Sequence, residues 1–216
     1  MLKSWGYKVC LAFLLIVLVF SSIAFAATTG ESNALRSAKS YLSFMAFSYE
    51  GLIEQLEFEG YTKEEAVYGA DNCEADWNEQ ALKSAESYLS FMAFSRDGLI
   101  EQLEYEGFTT EQATYAVDNV DFDSNSQALK SAQSYLAYSA FSYTGLIDQL
   151  IYEGFTTEEA TYAVDNCGAD WNEQAAKSAE SYLKFMAFSR SKLIEQLEFE
   201  GFTHEQAVYG VEQNGY

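Results

Sequence analysis

Residues 48–72 read SYEGLIEQLEFEGYTKEEAVYGADN, a stretch that predicts two short helices joined by a tight turn. The side chain of Ser48 can cap the first helix. Gly60 ends that helix, because the left-handed position after a helix C-terminus favours glycine. Thr62 and Glu65 then form a capping box that opens the next helix. The short connection between the two helices predicts a helix-turn-helix.

This stretch belongs to a segment that occurs four times at a constant spacing. The motif ALRSA at residue 34 returns as ALKSA at residues 81 and 128 and as AAKSA at residue 175, 47 residues apart each time. A fixed period of this size is typical of a repeat array, because one unit alone is too small to bury a sufficient core.

A further helix precedes the helix-turn-helix in each repeat. Leu35, Ala38, Leu42 and Met45 follow one another at three- or four-residue steps, which predicts an amphipathic helix. The sequence therefore predicts an all-α fold, a tandem array of four three-helix repeats. After a short linker over 27–33, the repeats span 34–80, 81–127, 128–174 and 175–216.

The junctions between repeats alternate. The octapeptide CEADWNEQ at 73–80 returns as CGADWNEQ at 167–174, whereas the junction between them reads VDFDSNSQ at 120–127. This alternation indicates two tandem pairs of repeats. We expect Trp77 and Trp171 to act as packing wedges between neighbouring repeats.

Aromatic and cysteine side chains are expected mostly inside the fold. Tyr41, Phe44 and Phe47 and their copies are assigned to the core and to packing between repeats. Tyr68 and its copies are also assigned to the core, because a buried aromatic ring with a polar tip is common. Cys73 and Cys167 are expected to be buried free thiols. A disulfide, which the extracellular medium permits, is the alternative.

Residues 1–26 have the features of a secretory signal. Lys3 and Lys8 precede a continuous apolar run over 9–20, and the triplet Ala-Phe-Ala at 24–26 fits a cleavage site. The alternative is an uncleaved membrane anchor, because the apolar stretch over 9–27 approaches the length that spans a bilayer. Both interpretations place the repeats outside the cytoplasm.

The charge balance excludes some functions. The chain has 12 Lys and Arg against 33 Asp and Glu, and its formal net charge is −21. Nucleic-acid binding is not expected, because basic side chains supply most of that affinity. With one histidine and no nucleophile paired with a base, the sequence predicts a non-catalytic protein without cofactor or metal.

The acidic surface permits two interpretations, a solvated face that keeps the protein soluble and a face that captures a basic partner. For the second interpretation we assign partner binding to acidic residues beside the predicted turns: Glu57, Glu59, Glu104, Glu106 and Glu153.

Several spaced elements resemble a known family. The string AFSRDGLIEQLEYEGFT over 93–109 is followed by ATYAVDN over 113–119, and DWNEQA stands at the junctions 76–81 and 170–175. In these elements the chain resembles the repeat of Ltp-family host cell-surface-exposed lipoproteins. The resemblance extends over residues 34–216.

The resemblance implies a helix-turn-helix repeat protein on the outer face of Gram-positive cells. The best-known members act in superinfection exclusion, in which they block DNA injection by an incoming phage and engage its tape-measure protein. This chain departs from the pattern because it lacks the lipobox cysteine. A structural or adhesive cell-surface protein that binds wall or host components is the alternative function.

Overall fold

The structure, a computed structural model, describes residues 26–216; the predicted signal segment lies outside these residues except for Ala26. Within this range the chain forms twelve α-helices and no β-strand. Their bounds are α1 Thr29–Phe44, α2 Tyr49–Phe58, α3 Lys63–Asn72, α4 Trp77–Phe91, α5 Arg96–Tyr105, α6 Thr110–Asn119, α7 Ser124–Tyr138, α8 Tyr143–Tyr152, α9 Thr157–Asn166, α10 Trp171–Phe185, α11 Arg190–Phe199 and α12 His204–Gln213.

The helices group into four units of three: α1–α3, α4–α6, α7–α9 and α10–α12, numbered units 1 to 4 below. Within each unit the first helix packs mainly against the third, and the second packs against the third. Helices α4, α7 and α10 begin at residues 77, 124 and 171, which keeps the 47-residue period of the sequence. The predicted all-α array of four three-helix units is confirmed.

Capping residues set the bounds of the second and third helices. The hydroxyl of Ser48 accepts the N–H of Gly51 at the start of α2, and Gly60 follows α2 with a φ of +96°. Thr62 and Glu65 exchange both hydrogen bonds of a capping box. The predicted turn is confirmed, because these caps depend only on neighbouring residues.

The predicted linker over 27–33 is helical from Thr29 onward. Thr28 accepts the backbone N–H of Glu31, and the carboxylate of Glu31 accepts the N–H of Thr28. This capping box starts α1 several residues earlier than the repeat motif at residue 34 suggested.

Each unit encloses its own core. In unit 1 the fully buried Leu52 and Leu56 of α2 pack with Ala38 of α1 and with Ala66 and Ala70 of α3. The other three units repeat this arrangement around their own pairs of leucines. The array is therefore a row of small separate cores, and contacts at the joints connect neighbouring units.

Two expectations about buried side chains were wrong. Phe44 is 87% exposed and Met45 is 57% exposed, because Phe44 lies off the stripe of α1 that carries Ala34 and Ala38, and Met45 follows the helix end. The tyrosines on the outer side of the third helices, which were assigned to the core, are half-buried or exposed: Tyr68, Tyr115, Tyr162 and Tyr209.

The alternation of the units appears in their side-chain contacts. In unit 1, Tyr49 donates to Asp71 and packs edge-on against Trp77, with ring centroids 5.5 Å apart. In unit 2, Arg96 occupies the position of Tyr49 and pairs with Asp118. Units 3 and 4 repeat these two arrangements in the same order. The predicted tandem pairs are confirmed.

Trp77 belongs to unit 2 but packs on the core of unit 1, and Trp171 of unit 4 packs in the same way on unit 3. Both tryptophans are thus the wedges that the sequence predicted. Cys73 is buried and Cys167 is half-buried, and both are free thiols. The thiol of Cys73 donates to the carbonyl of Ala70.

Candidate protein-binding surface

The joint between units 1 and 2 is centred on a serine hydroxyl. Ser48 Oγ accepts the N–H of Gly51 at 2.9 Å and donates to the backbone carbonyl of Glu106 at 2.5 Å. The N-terminus of α2 therefore meets the C-terminus of α5. This contact is favourable, because it brings together opposite ends of two helix dipoles.

The same contact joins the remaining units. Ser95 donates to the carbonyl of Glu153, and Ser142 donates to the carbonyl of Glu200, both at 2.5 Å. Ser48, Ser95 and Ser142 are each only 2% exposed. One polar contact thus recurs at every joint along the array.

The carboxylate of Glu106 holds its own helix end in place. Ser84 Oγ donates to Glu106 Oε2 at 2.8 Å, and the Tyr88 hydroxyl donates to Glu106 Oε1. Gln102 Nε2 donates to the Tyr88 hydroxyl at 3.1 Å. Desolvation and the hydrogen bond to Glu106 raise the pKa of Tyr88. The same network surrounds Glu153 and Glu200.

Glycine is required where the units meet. Gly107 has a φ of +87°, and a Cβ atom there would lie 2.9 Å from Ser48 Oγ of the preceding unit. Gly60, in unit 1, has open space at the same position among residues 26–216. At Gly107 both the backbone conformation and the neighbouring unit exclude a side chain.

A cleft opens beside each joint. The cleft between units 1 and 2 has a volume of about 1040 Å³, and the next two have about 880 and 790 Å³. Phe44 and Met45 line the first cleft from unit 1, and Lys83, Tyr88 and Phe91 line it from unit 2. The array therefore presents three similar clefts, each with apolar walls and a few polar groups.

Aromatic side chains project from every unit. Those at the ends of the first helices are between 86% and 89% exposed: Phe44, Phe91, Tyr138 and Phe185. Those at the ends of the second helices are 87% or 88% exposed: Phe58, Tyr105, Tyr152 and Phe199. Exposed apolar groups that recur in this way are typical of surfaces that bind other molecules.

The five acids assigned to partner binding all lie beside the turns, in different surroundings. Glu57 and Glu104 lie exposed on the last turns of α2 and α5, and Glu104 accepts a hydrogen bond from Thr110 Oγ1. Glu59 is exposed and accepts from the Tyr41 hydroxyl. Glu106 and Glu153 are half-buried within the joints. Glu57, Glu59 and Glu104 are thus exposed to a partner, whereas Glu106 and Glu153 lie within the joints.

Neither the serine joints nor the exposed aromatic residues were predicted from the sequence. Serine is followed three positions later by glycine at Ser48, Ser95 and Ser142 but not at Ser189. This difference in the sequence could have indicated which serines form joints. An aromatic residue two positions after a core leucine, as in Leu56 and Phe58, faces away from that leucine, since two residues turn a helix by about 200°.

From Ala26 onward, no group of histidine, cysteine, aspartate and glutamate side chains is arranged to hold a metal ion. None of the described helices combines the length and apolarity required to cross a membrane.

The fold and surface define a class of helical repeat protein with a chain of similar clefts. A family model described as host cell surface-exposed lipoprotein matches residues 30–73, 76–120, 123–167 and 170–213. Since these matches include most of the chain, the protein belongs to this Ltp lipoprotein family.

The solved structure of Ltp, a superinfection exclusion protein from the Streptococcus thermophilus temperate phage TP-J34, is similar to part of this chain. The two are 34% identical, and the match covers 44% of this chain and 100% of that chain with a TM-score of 0.43. The comparison with curated proteins gave no match.

Proposed function

We propose that this protein acts at the surface of a Gram-positive host cell in superinfection exclusion, by binding a protein of the phage injection machinery before DNA crosses the membrane. The family description supports the location, and the Ltp protein of phage TP-J34 is itself a superinfection exclusion protein. The observation that carries the binding role is the set of three similar clefts along an acidic array.

The array combines the two properties that a basic, amphipathic protein segment requires, apolar contact area in the clefts and an acidic surface around them. Phe44, Met45 and Phe91 offer exposed apolar contact area at the first cleft. The formal net charge of −21 attracts a basic partner and raises its association rate at low salt. A partner of this kind buries apolar side chains in the clefts while its basic groups lie against the acidic surface.

Repetition strengthens such binding. Once an elongated partner occupies one cleft, its next segment is held at high local concentration beside the neighbouring cleft. A long phage protein such as a tape-measure protein can therefore bind several units at once, with high avidity from weak individual contacts. Binding and retention suffice for this mechanism, and no catalytic step is needed.

The test is a phage challenge in a sensitive Gram-positive host that expresses the full chain, with export confirmed. Adsorption and entry of phage DNA are measured separately. Normal adsorption with blocked DNA entry is the expected result. Normal entry across a varied phage panel would overturn the proposal, and retention of the protein on purified cell walls would then favour the adhesive function.

Charge reversal tests the binding surface. Glu57→Lys together with Glu104→Lys should weaken binding of the phage partner and flatten its salt dependence, because both carboxylates are exposed. Glu57→Gln with Glu104→Gln should have an intermediate effect. Unchanged affinity in the lysine variant, with the fold confirmed by circular dichroism, would remove these two residues from the interface.

A further inference from the structure

The three clefts form one groove, because neighbouring clefts share a wall. Phe91 lines both the cleft between units 1 and 2 and the cleft between units 2 and 3. Tyr138 lines that second cleft and also the third cleft, between units 3 and 4. An elongated partner can therefore pass from one cleft to the next along the same surface.

One wall of each cleft has the same order of side chains. In the cleft between units 2 and 3, Lys130, Ser134 and Tyr138 of α7 follow one another at four-residue steps, and all three are exposed. Residues four apart lie on the same face of a helix, so a cation, a hydroxyl and an aromatic ring follow one another over about 12 Å. The other two clefts have the corresponding residues Lys83, Ser87 and Phe91, and Lys177, Ser181 and Phe185.

The lysine of each cleft has no acidic partner within residues 26–216. It is also the one basic residue among the described residues that line its cleft. Other lysines, such as Lys184 and Lys192, form ion pairs with nearby glutamates. A positive charge that no carboxylate neutralises thus recurs at the same place in all three clefts of an acidic protein.

The glutamate that each cleft contains is already engaged by its own unit. In the cleft between units 2 and 3, Glu153 accepts the Ser131 hydroxyl at 2.9 Å on one carboxylate oxygen and the Tyr135 hydroxyl on the other. The cleft between units 1 and 2 has one further carboxylate among its described lining residues, that of Glu86. The lysine is therefore the charged group of the cleft that is available to a partner.

We propose that the groove binds a protein segment that presents, to each cleft it enters, one carboxylate and one large apolar side chain. The carboxylate pairs with the lysine and accepts a hydrogen bond from the serine one turn away, and the apolar side chain packs on the aromatic ring. These two side chains lie about eight residues apart if the segment is helical and about four apart if it is extended.

This inference rests on the proposed function, because it takes the ligand to be a protein, and it adds which side chains that protein turns toward the groove. The basic residues of such a partner lie on its other sides, against the acidic surface around the groove. A wall polymer rich in phosphates also offers anions to the lysines, but the formal net charge of −21 repels a polyanion. A protein that is basic overall and has separate carboxylates on its apolar face satisfies both conditions.

Selection from a random peptide library by mRNA display tests the proposal. The full chain is compared with the variant that carries Lys83→Met, Lys130→Met and Lys177→Met. Peptides selected by the wild-type protein should be enriched in Asp or Glu at the stated distance from a large apolar residue. Peptides selected by the methionine variant should lack this enrichment, because the cleft keeps its apolar wall and loses its cation.

The matched control carries Lys63→Met, Thr110→Glu and Thr157→Glu. Each of these changes lowers the formal charge by one, as each lysine-to-methionine change does, but they lie at the starts of the third helices and line none of the three clefts. This control should select the same peptides as the wild-type protein. Circular dichroism confirms the fold of both variants.

A double-mutant cycle on a selected peptide measures the contact itself. Replacing the acid of the peptide by its amide should weaken binding to the wild-type protein about threefold, as for an exposed ion pair. The same replacement should leave binding to the methionine variant unchanged.

Several results would overturn the proposal: selection of no peptide, selection of basic and apolar residues without acids, absence of coupling in the cycle, or an equal loss of the enrichment in the control. Lysine-dependent binding of a phosphate-rich wall polymer in place of the peptides would also overturn it. The phage challenge is scored separately. Normal phage entry would leave the preference of the groove intact, and exclusion without that preference would remove this inference alone.

Discussion

The hydroxyl of Ser95 lies between two units and bonds to both of them. It accepts the N–H of Gly98 at 3.0 Å, which caps α5, and it donates to the carbonyl of Glu153 at 2.5 Å, which ends α8. One side chain thus satisfies an orphan donor at the start of one helix and an orphan acceptor at the end of another. The cap of a helix and the joint of the array therefore depend on the same atom.

Ser95→Ala should lower the free energy of unfolding by about 2 kcal/mol, since it removes a helix cap and leaves the partly buried carbonyl of Glu153 without this donor. Ser189→Ala is the matched control. It removes a looser cap that joins no further unit, and it should cost about 1 kcal/mol or less. Urea denaturation of both variants checks the difference, and equal losses would contradict the double role of Ser95.

Alkaline pH should loosen the joints. The hydrogen bond to Glu153 and desolvation raise the pKa of Tyr135 in the folded protein. The resulting stabilisation is fully present below the ordinary tyrosine pKa of about 10 and is lost as the pH rises through the higher folded value. Denaturation at pH 9 and pH 11 should show a fall in stability, and the fall should be smaller in Tyr135→Phe. A fall of the same size in that variant would exclude Tyr135 as its source.

Substitution by alanine should change the free energy of unfolding far less at Phe91 than at Phe108. Phe91 is 87% exposed, so Phe91→Ala should change the free energy of unfolding by less than about 0.5 kcal/mol. Phe108 is 4% exposed, and the same change there should cost about 3 kcal/mol or more. Thermal and chemical denaturation give the comparison. If Phe91→Ala also weakens phage exclusion at wild-type stability, the loss is one of binding.

Trp77→Ser gives the first junction the residue found at the middle one, where Ser124 stands. The change removes the edge-on contact with Tyr49 and the packing on the core of unit 1, and we expect a loss of about 2 kcal/mol. Hydrogen exchange should accelerate in unit 1 and stay unchanged in unit 3, where Trp171 keeps its contact. Uniform acceleration across all units would argue against this local role.

The period, the helix order and the caps could be predicted from the sequence because each depends on residues close together in the chain. Thr62 and Glu65 form their capping box whatever surrounds them. The joint between Ser48 and Glu106 depends on how one unit meets the next across 58 residues. Composition and helical period contain little information about such a contact. For the same reason the sequence did not distinguish the glutamates within the joints, Glu106 and Glu153, from the three exposed ones.

The alternation between tyrosine–tryptophan and arginine–aspartate contacts sets the step by which this array can change length. Deleting unit 2 would place Tyr49 before a unit that starts with Ser124, and the ring of Trp77 would be missing. Duplicating or removing two adjacent units, 94 residues in two periods of 47, reproduces every junction already present. Gene rearrangements that conserve the fold should therefore add or remove units in pairs, and longer or shorter relatives should carry even numbers of them.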